Sequence, residues 1–453
     1  MKLVEKFFPI INKLRFKIGS KTRQYDDRFW EWYLFFNESE SWTYDKMKEY
    51  QFAQLKSILY EIQKTSQYYR KKWEGINIDR IHSFDDFSAQ IPKISRFEYR
   101  QHFKNITSNK QSDFNITISS TSGTTGHALQ FYNTIEDNYR EWAAICHQWR
   151  RVGYDPANSI RAEFRGFNHN GKIINYYPKS NMIRCSILHY NRDTIREYGN
   201  EIKKYGIDYF HGYPSAIYFL AKKILADSIS FPQPKAILLA SEQIFDWQIN
   251  TIKDAFNDSK IFAHYGCAER TVLGGYCEKV NAYHIMPHYS YIEIDKNTGE
   301  ITGTNLYNTI NGFIRYQMTD SASQYDYSLC DKCKRPYYPI IKKLAGRTED
   351  YLYSIEKGFI PPAIITYPLK QLHSISEVQF FQETEEEIIV NYTVMDDLNN
   401  QDINNEIILI KKGLIEIFGK KMQIRFNKVD SFERNSSGKF KWIVSNLNQK
   451  NIL

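Results

Sequence analysis

The spacing of apolar residues predicts amphipathic helices and a buried sheet in the first two thirds of the chain. Apolar side chains recur at helical spacing in residues 41–72 and again in residues 135–151. From residue 160 to residue 240, short apolar runs alternate with helical segments, such as a helix at 215–226 before the apolar run Ala236–Ala240. Short apolar runs between helices are typical of a buried, partly parallel sheet.

A different pattern begins after residue 266. Alternating residues on either side of the turn at 296–299 predict a hairpin, and residues 313–318 predict a further strand. The last hundred residues or so predict a small α+β unit, with strands at 378–381, 388–394 and 422–426 and a helix at 402–418. Residues 346–350 are charged and contain glycine, so we place the boundary there. The chain is therefore predicted to be an α/β protein, with a large N-terminal domain (1–347) of mixed sheets flanked by helices and a small α+β C-terminal domain (348–453).

A hydroxyl-rich loop follows the predicted strand at residues 114–118. Residues 119–126 contain six hydroxyl side chains and two glycines. Glycines let backbone N–H groups turn inward and hydroxyls add donors, a combination that can hold an anion. The loop has neither the lysine of a Walker motif nor the dinucleotide fingerprint. A flexible linker is the alternative interpretation of such a composition.

Four further segments carry groups suited to nucleotide chemistry. They are residues 265–269 (Tyr-Gly-Cys-Ala-Glu), 315–320 (ending in Asp320), 346–350 (Gly-Arg-Thr-Glu-Asp) and 436–440 (Ser-Ser-Gly-Lys-Phe). The first follows an apolar strand, and the second also looks like a strand that ends in a carboxylate. The carboxyl edge of a sheet is where α/β folds bind ligands. Each segment taken alone also fits a surface loop.

In order and spacing these five segments resemble the adenylate-forming superfamily, which includes the acyl-CoA synthetases. The likeness is greatest to phenylacetate–CoA ligase-like proteins, including those associated with capsular polysaccharide synthesis, and it covers residues from about 41 to 446. The resemblance implies a mobile C-terminal domain and ATP-dependent activation of a carboxylic acid. The carboxylate attacks the α-phosphate of ATP, giving an acyl-adenylate and pyrophosphate, so donors must lie where charge develops on the phosphates.

The resemblance also implies a role for individual residues. The β- and γ-phosphates would be held by Ser122, Gly123, Thr124, Thr125 and Gly126. Adenine would stack on Tyr265, with Gly266 and Glu242 beside it. Mg²⁺ would be bound by Glu269, because this hard ion favours carboxylate oxygen. The ribose would be bound by Asp320 and Arg347.

The C-terminal domain would supply Lys439, which bridges the α-phosphate and the reacting carboxylate. Rotation about the hinge residue Glu349 would withdraw this lysine and open a path for the acyl acceptor. His211 and Gly212 lie in a region that borders the acyl pocket in relatives, and His264 is a further candidate there. A histidine satisfied within the core is the alternative for both imidazoles.

The sequence departs from the wider family at several of these positions. Leu129 stands where many relatives carry lysine, although this subfamily commonly lacks that lysine. Ala268 replaces the usual threonine before Glu269, and Glu349 replaces the commoner aspartate at the hinge. Met318 and Thr319 precede Asp320 where a glycine is more frequent. None of these changes removes a charge that the chemistry needs.

A second cluster is independent of the nucleotide motifs. Cys277, His284, Cys330 and Cys333 follow the pattern C-x₆-H-x₄₅-C-x₂-C. Three thiolates and one imidazole are a ligand set for a closed tetrahedral zinc site, and some relatives resemble this chain here. We expect a structural role, because four protein ligands leave no open position for substrate. The alternative is a chance pair of cysteines near a surface histidine.

Composition narrows the classes of protein to which this chain could belong. The 453 residues are too many for one small core, and their content of 42% apolar and 25% charged residues is ordinary for a globular protein. The net charge of +8 contains no block resembling a nucleic-acid arm. The sequence contains no run of about eighteen apolar residues, so no transmembrane helix is predicted. Six cysteines make no disulfide framework, which favours a reducing, cytoplasmic setting.

The N-terminal residues 1–18 mix apolar and basic side chains. They are expected to pack against the protein, with an anionic membrane surface as the alternative. The many Tyr and Phe residues fit a pocket for an aryl acid, or simply reflect general residue usage. The oligomeric state is left open.

The function predicted from the sequence is that of an ATP- and Mg²⁺-dependent ligase. It would pass the activated acyl group to the thiol of coenzyme A (CoA) or to an amine, for instance in polysaccharide biosynthesis. One alternative is a nucleotide-binding protein that has lost catalysis and acts in assembly. Another is a zinc-stabilised binding module in which the hydroxyl-rich loop is a linker.

Overall fold

The computed structural model describes residues 25–107, 116–120, 129–165, 172–177, 180–187, 190–347, 351–360, 365, 368–369, 372, 374–394, 400–432 and 441–447. The predicted phosphate loop at 122–126, the hinge Glu349 and Lys439 lie outside these ranges, as does the N-terminal segment 1–18. Arg347 is described for its backbone alone. No helix in the described ranges is long and apolar enough to cross a membrane.

Helices form the first part of the chain. They are α1 (Asp27–Ser39), α2 (Tyr44–Thr65), α3 (Gln67–Lys72), α4 (Phe84–Gln90), α5 (Arg96–Gln101) and α6 (Phe103–Ile106). The helical character predicted for residues 41–72 is confirmed, and the structure divides this stretch into two helices at Ser66. This residue is extended, and its hydroxyl accepts a hydrogen bond from the backbone N–H of Tyr69. Ser66 therefore ends α2 and provides the N-cap of α3.

A hairpin flanks the hydroxyl-rich loop. β1 (Ile116–Ser120) pairs antiparallel with β2 (Gln130–Thr134), from Ile116 opposite Thr134 to Ser120 opposite Gln130. Helix α7 (Ile135–Trp149) follows β2 directly. Its N-cap is Thr134, which exchanges hydrogen bonds with Asp137 in a capping box. The predicted helix at 135–151 is thus confirmed, with its last turn in a 3₁₀ conformation.

The main sheet contains twelve described strands. They are β3 (Arg161–Arg165), β4 (Ile174–Tyr177), β5 (Met182–Ser186), β6 (Tyr209–Gly212), β7 (Ala236–Ala240), β8 (Lys260–Gly266), β9 (Leu273–Cys277), β10 (Val280–Ile285), β11 (Ser290–Ile294), β12 (Glu300–Asn305), β13 (Tyr316–Asp326) and β14 (Ile340–Arg347). Their order is β11-β12-β13-β14-β10-β9-β8-β7-β6-β3-β5-β4. Strands β5, β3, β6, β7 and β8 run parallel, which confirms the predicted partly parallel sheet.

Helices cover both faces of the parallel strands. On one face, α7 and α1 share a core with Tyr209 and Leu238. On the other face, Phe210 and Ile237 share a core with α8 (Arg192–Tyr205), α9 (Pro214–Ala226) and α10 (Asp246–Ala255). Because successive strand residues point to opposite faces, side chains two positions apart belong to the same core.

The strand predicted at residues 313–318 begins later than expected. Arg315 has a left-handed backbone conformation, with φ of 47°, and its N–H donates to Thr304 Oγ1 at 3.0 Å. A non-glycine residue in this conformation interrupts an extended strand, so β13 starts at Tyr316 and continues to Asp326. Asp320 consequently lies inside the strand and not at its end, contrary to the prediction.

A separate small α+β unit follows β14. It contains β15 (Leu352–Ser354), β16 (Gly358–Ile360), β17 (Ile375–Gln382), β18 (Glu387–Val394), α11 (Asn400–Phe418), β19 (Gln423–Lys428) and β20 (Ile443–Ser445). Its four-stranded sheet has the order β19-β18-β17-β20 and its own apolar core. The fold class is therefore as predicted. β15, β16 and the three-residue strand β20 were not predicted.

Candidate functional site

Three of the predicted nucleotide-binding segments meet at one edge of the main sheet. The hydroxyl of Tyr265, near the end of β8, donates to Asp320 Oδ2 at 2.8 Å. Asp320 in β13 is the register partner of Arg347 in β14. Tyr265 and Asp320 are thus in contact although 55 positions separate them in the sequence. Gly266 is the last residue of β8 and follows Tyr265 directly.

Glu269 lies just beyond β8 and is 9% exposed. The hydroxyl of Tyr316 donates to its Oε1 at 3.4 Å, and Asn305 Nδ2 donates to its backbone carbonyl at 3.3 Å. Burial, followed by the charge of Glu269, raises the pKa of Tyr316, so this phenol remains a hydrogen-bond donor. These contacts hold Glu269 in place, and its carboxylate oxygens are ligands of the type that Mg²⁺ prefers.

Arg270 connects this segment to the hairpin that flanks the hydroxyl-rich loop. Its guanidinium lies 3.0 Å from Glu141 Oε2 and 2.8 Å from Asn138 Oδ1, and it also contacts Asn133 on β2. Sequence reasoning missed this residue, because its partners are distant in the chain and no short motif marks them. Through these contacts Arg270 ties β2 and α7 to the segment that contains Tyr265 and Glu269. The strand that follows the predicted phosphate loop is therefore kept beside this segment.

The predicted phosphate loop itself, Ser122, Gly123, Thr124, Thr125 and Gly126, lies outside the described residues, as do Lys439 and Glu349. Their roles stay predictions.

Glu242, predicted near adenine, contacts a helix terminus. Its Oε2 accepts a hydrogen bond from the backbone N–H of Ser215 at 3.1 Å, in the first turn of α9. A carboxylate stabilises that end of a helix, because the free N–H groups there carry partial positive charge. This contact gives Glu242 a structural role between β7 and α9, and its contact with adenine stays a prediction.

His211 belongs to a row of polar side chains across three parallel strands. Glu163 on β3 is the register partner of both Arg184 on β5 and His211 on β6. Arg184 Nε donates to Glu163 Oε2 at 2.5 Å, and His211 Nδ1 lies 3.5 Å from Oε1. Burial alone would raise the pKa of Glu163, but His211 and Arg184 hold it well below its usual value. The row therefore contains an ionised carboxylate with its partners already in place.

Gly212 ends β6 where the strand approaches a helix closely. A Cβ at this position would lie 3.0 Å from the carbonyl oxygen of Phe164 and 3.2 Å from the side chain of Ile217. The close packing of β6 against β3 and α9 accounts for a glycine here. A contact of Gly212 with substrate stays a prediction.

The four predicted metal ligands converge. Cys277 ends β9, His284 lies on β10, and Cys330 and Cys333 lie between β13 and β14; their ligand atoms are all within 4.8 Å of one another. Tetrahedral Zn–S bonds of about 2.3 Å place sulfur atoms about 3.8 Å apart, so the cluster is close to the size that zinc needs. Cys333 Sγ lies 3.5 Å from His284 Nδ1.

The surroundings of the cluster also fit a metal. The backbone N–H of Lys279 donates to Cys277 Sγ at 3.4 Å, and the guanidinium of Arg335 lies 3.9 Å from the same sulfur. Donors of this kind stabilise the thiolate form that ligates a metal. Cys277 and His284 are buried, with 3% and 0% exposure, which suits a structural site.

Trp442 joins the C-terminal unit to the N-terminal part of the chain. It packs against both cores, and its ring stacks on Phe219 with centroids 5.7 Å apart and an interplanar angle of 22°. It also meets Trp247 edge-on at 5.2 Å and Tyr218 at 6.2 Å. Trp442 is three residues after Lys439. Sequence reasoning missed this residue, since an isolated tryptophan carries no signal of its partner.

Lys222 forms a second contact between the two units. Its Nζ donates to the carbonyl oxygen of Ile375 at 2.5 Å. Burial lowers the pKa of Lys222 to about 8, although Glu406 and Glu377 partly oppose that effect. Together with Trp442, this lysine attaches β17 and β20 to α9.

Comparisons with known proteins agree with this architecture. A family model described as the CapK C-terminal domain matches residues 352–446. Protein CapK of Staphylococcus aureus is 24% identical over 370 residues, which span 79% of this chain and 80% of that protein.

Among solved structures, 2-hydroxyisobutyryl-CoA ligase in its postadenylation state, in complex with 2-HIB-AMP, has a TM-score of 0.70 at 15% identity. The match covers 90% of this chain and 92% of the ligase. The same ligase in its thioesterification state, in complex with 2-HIB-AMP and CoA, has a TM-score of 0.54 at 16% identity, covering 90% and 91%. The fold expected from the resemblance is confirmed, because the chain has the fold of this acyl-CoA ligase, and its C-terminal unit matches the CapK C-terminal domain.

Proposed function

We propose that this chain, with the fold of the adenylate-forming ligases and a CapK-type C-terminal domain, is an ATP- and Mg²⁺-dependent ligase. It converts a carboxylic acid to an acyl-adenylate and then transfers the acyl group to the thiol of CoA or to an amine. The observation that carries the proposal is the convergence of Tyr265, Asp320 and the backbone of Arg347 beside Glu269. Protein residues of these types, placed together at a sheet edge, suit a bound nucleotide.

In the first step a carboxylate oxygen of the acid attacks the α-phosphorus of ATP, and the bond to the β-phosphate oxygen breaks. Negative charge moves to the leaving pyrophosphate, so catalysis depends on positioning and electrostatic stabilisation. Tyr265 would stack on adenine, and Asp320 and Arg347 would bind the ribose hydroxyls. Glu269 would hold Mg²⁺, which when bound neutralises charge on the phosphate oxygens. Lys439 and the loop at 122–126 would contact the phosphates.

In the second step the acceptor attacks the acyl carbon and AMP leaves. We place the domain boundary at residue 347, between β14 and β15, and rotation about Glu349 would withdraw Lys439 and open a path for the acceptor. The CoA-bound structure of the related ligase supports the thiol of CoA as the acceptor. An amine, for instance in polysaccharide biosynthesis, is the other candidate.

We also propose that Cys277, His284, Cys330 and Cys333 bind a structural zinc ion. The support is the donor set, the mutual distances within 4.8 Å and the burial of the ligands. Four protein ligands complete a tetrahedral shell, so the ion would fix the fold and take no part in acyl transfer.

The test of the ligase is ATP–pyrophosphate exchange measured over a panel of carboxylic acids. Acid-dependent exchange is expected, and Glu269→Gln and Asp320→Asn should each reduce it by at least about 100-fold, the scale of losing one charged group that acts in the transition state. Glu383→Gln, in the turn after β17, serves as the matched control and should leave exchange unchanged. ATP binding without exchange for any acid would favour the non-catalytic assembly protein.

A further inference from the structure

A lysine in the N-terminal part of the chain contacts the backbone of the C-terminal unit. Lys222 on α9 donates from Nζ to the carbonyl oxygen of Ile375, the first residue of β17, at 2.5 Å. The indole of Trp442 stacks on Phe219, which is on the same helix. We call this arrangement, with α9 against β17 and Trp442, the docked orientation. A C-terminal unit that rotates away from α9 must break both contacts.

The peptide segment that Lys222 contacts is also bound by a carboxylate of its own unit. Glu406 on α11 accepts the backbone N–H of Ser374 with Oε1 and that of Ile375 with Oε2, both at 2.8 Å. Glu406 is 7% exposed, so this carboxylate belongs to the interior of the C-terminal unit. The direct partner of the Lys222 ammonium is therefore a neutral carbonyl oxygen, and both oxygens of Glu406 bind backbone N–H groups.

The docked orientation does not fully compensate the positive charge of Lys222. The titratable groups near its ammonium include Glu406 on α11, Glu377 on β17 and Tyr218 on α9. Both carboxylates attract the ammonium, but the loss of surrounding water has the larger effect and lowers the pKa of Lys222 to about 8. Burial raises the pKa of Tyr218, so this phenol adds no charge. Enclosing an ammonium group without a directly bonded carboxylate opposes docking.

The proton on Lys222 is therefore linked to the position of the C-terminal unit. When that unit leaves α9, the ammonium returns to water, where the pKa of a lysine is 10.5. Between pH 8 and pH 10.5 the docked orientation binds fewer protons than the undocked one, so raising the pH favours docking. For these two pKa values, the ratio of docked to undocked protein increases about tenfold between pH 7 and pH 9.

We propose that Lys222 is a proton-dependent switch of domain orientation, in which the neutral lysine favours the docked orientation and the charged lysine favours rotation away from α9. The inference rests on the domain rotation of the proposed function and adds its regulation. We assign adenylation to the docked orientation and acyl transfer to the rotated one. Higher pH would then favour adenylation and lower pH acyl transfer. The ring contacts of Trp442 are the same at either charge, so Lys222 adjusts an interface that those rings also form.

The first test measures the orientation without substrate. Protein labelled with 5-fluorotryptophan gives a ¹⁹F NMR signal for Trp442, which Trp442→Phe identifies because that signal disappears. The signal distinguishes an indole stacked on Phe219 from one exposed to water. In the wild type, we expect the ratio of docked to undocked signal to increase about tenfold between pH 7 and pH 9. A ratio that stays constant over this range overturns the inference, whatever the activity of the enzyme.

Three variants separate the charge of Lys222 from its other contacts. Lys222→Met removes the charge and should stay docked at both pH values, whereas Lys222→Arg keeps a permanent charge and should be less docked at both. Lys223→Met is the matched control, because this neighbouring lysine is paired with Asp227 at 3.4 Å and should leave the wild-type pH dependence unchanged. The same pH dependence in the wild type and in folded Lys222→Met protein contradicts the assignment.

A second measurement distinguishes a failure of this inference from a failure of the ligase function. The ratio of acid-dependent ATP–pyrophosphate exchange to transfer from a supplied acyl-adenylate should increase about tenfold between pH 7 and pH 9 in the wild type, relative to Lys222→Met. Equal pH profiles of this ratio in the two proteins overturn the control of the half-reactions by Lys222. A pH-dependent NMR signal in protein that shows no exchange with any acid supports the switch and removes the ligase function.

Discussion

Replacing Trp442 should separate the two half-reactions of the proposed ligase. The indole connects the C-terminal core to Phe219, Trp247 and Tyr218, and it lies three residues from Lys439. It therefore holds the C-terminal unit in the orientation seen here, which superposes better on the postadenylation state of the related fold than on its thioesterification state. We expect Trp442→Ala to weaken that docked orientation.

The size of the effect follows from the three ring contacts. Aromatic pairs contribute about 0.5–1.5 kcal/mol each beyond their buried area, which gives about 3 kcal/mol for three pairs. Some of this is recovered as the rings repack, so we take about 2 kcal/mol as the loss. Since about 1.4 kcal/mol is tenfold in an equilibrium constant, the docked orientation should lose up to about 30-fold relative to the undocked one.

The assay measures each half-reaction separately. We assign acid-dependent ATP–pyrophosphate exchange to the docked orientation, so it should fall about tenfold or more in Trp442→Ala. We assign transfer from a supplied acyl-adenylate to the other orientation, so it should change less than about twofold or rise. Phe219→Ala removes the same contact from the opposite side and should give the same pattern. Phe97→Ala, an aromatic residue that is 57% exposed elsewhere, is the control.

Equal losses in both half-reactions would refute this reasoning, because they would indicate a general loss of folded protein. Trp442 also packs against the C-terminal core, so thermal unfolding of each variant must be measured alongside. Exchange unchanged in both Trp442→Ala and Phe219→Ala, with folding intact, would show that this contact does not set the orientation.

Three further predictions follow from single contacts. Burial lowers the folded-state pKa of Lys222 to about 8 from 10.5, so the unfolded state binds more protons between these two pH values. The free energy of unfolding should therefore rise with pH across that window. In urea unfolding, Lys222→Met should lack this slope. Tyr265→Phe removes the 2.8 Å hydrogen bond to the carboxylate of Asp320, worth about 1.5–3 kcal/mol, and should raise KM for ATP about tenfold or more; an unchanged KM would place Asp320 outside the nucleotide site. Protein purified without added metal should contain about one zinc ion per chain by elemental analysis. Cys333→Ser should lose the zinc ion and have a lower Tm, whereas Cys146→Ala should retain it. Metal-free protein with an intact fold would rule out the zinc site.

Local patterns in the sequence predicted much of the fold. The apolar run at β7, the periodicity of α7 and the alternation in the C-terminal unit each reflect interactions within a few residues, so their types were correctly predicted. The break between α2 and α3 and the late start of β13 depend on single backbone conformations, at Ser66 and Arg315. These conformations are set by hydrogen bonds to particular neighbours, which hydrophobic periodicity does not report.

The candidate site was predictable as far as motifs extend. Tyr265 and Asp320 were identified through the family resemblance, and the Cys/His cluster through residue type and spacing. The structure brings Tyr265 and Asp320 into contact and gathers the four Cys and His side chains in a second place. Arg270 and Trp442 were not identified, because each acts through partners more than a hundred positions away. Residues of this kind are defined by contacts between distant parts of the chain, and a single sequence does not record which strands become neighbours.

The order of strands explains why the nucleotide residues and the cysteine cluster occur on one scaffold. β13 carries Asp320 and β14 carries Arg347, while Cys330 and Cys333 lie in the connection between these two strands. β14 also pairs with β10, which carries His284. A metal bound by the cluster would therefore attach the β13–β14 connection to the β9–β10 hairpin. It would also hold at a fixed separation the two strands that carry the proposed ribose-binding pair, Asp320 and Arg347. The proposed zinc ion would thus act on nucleotide binding through strand geometry, without contacting the nucleotide.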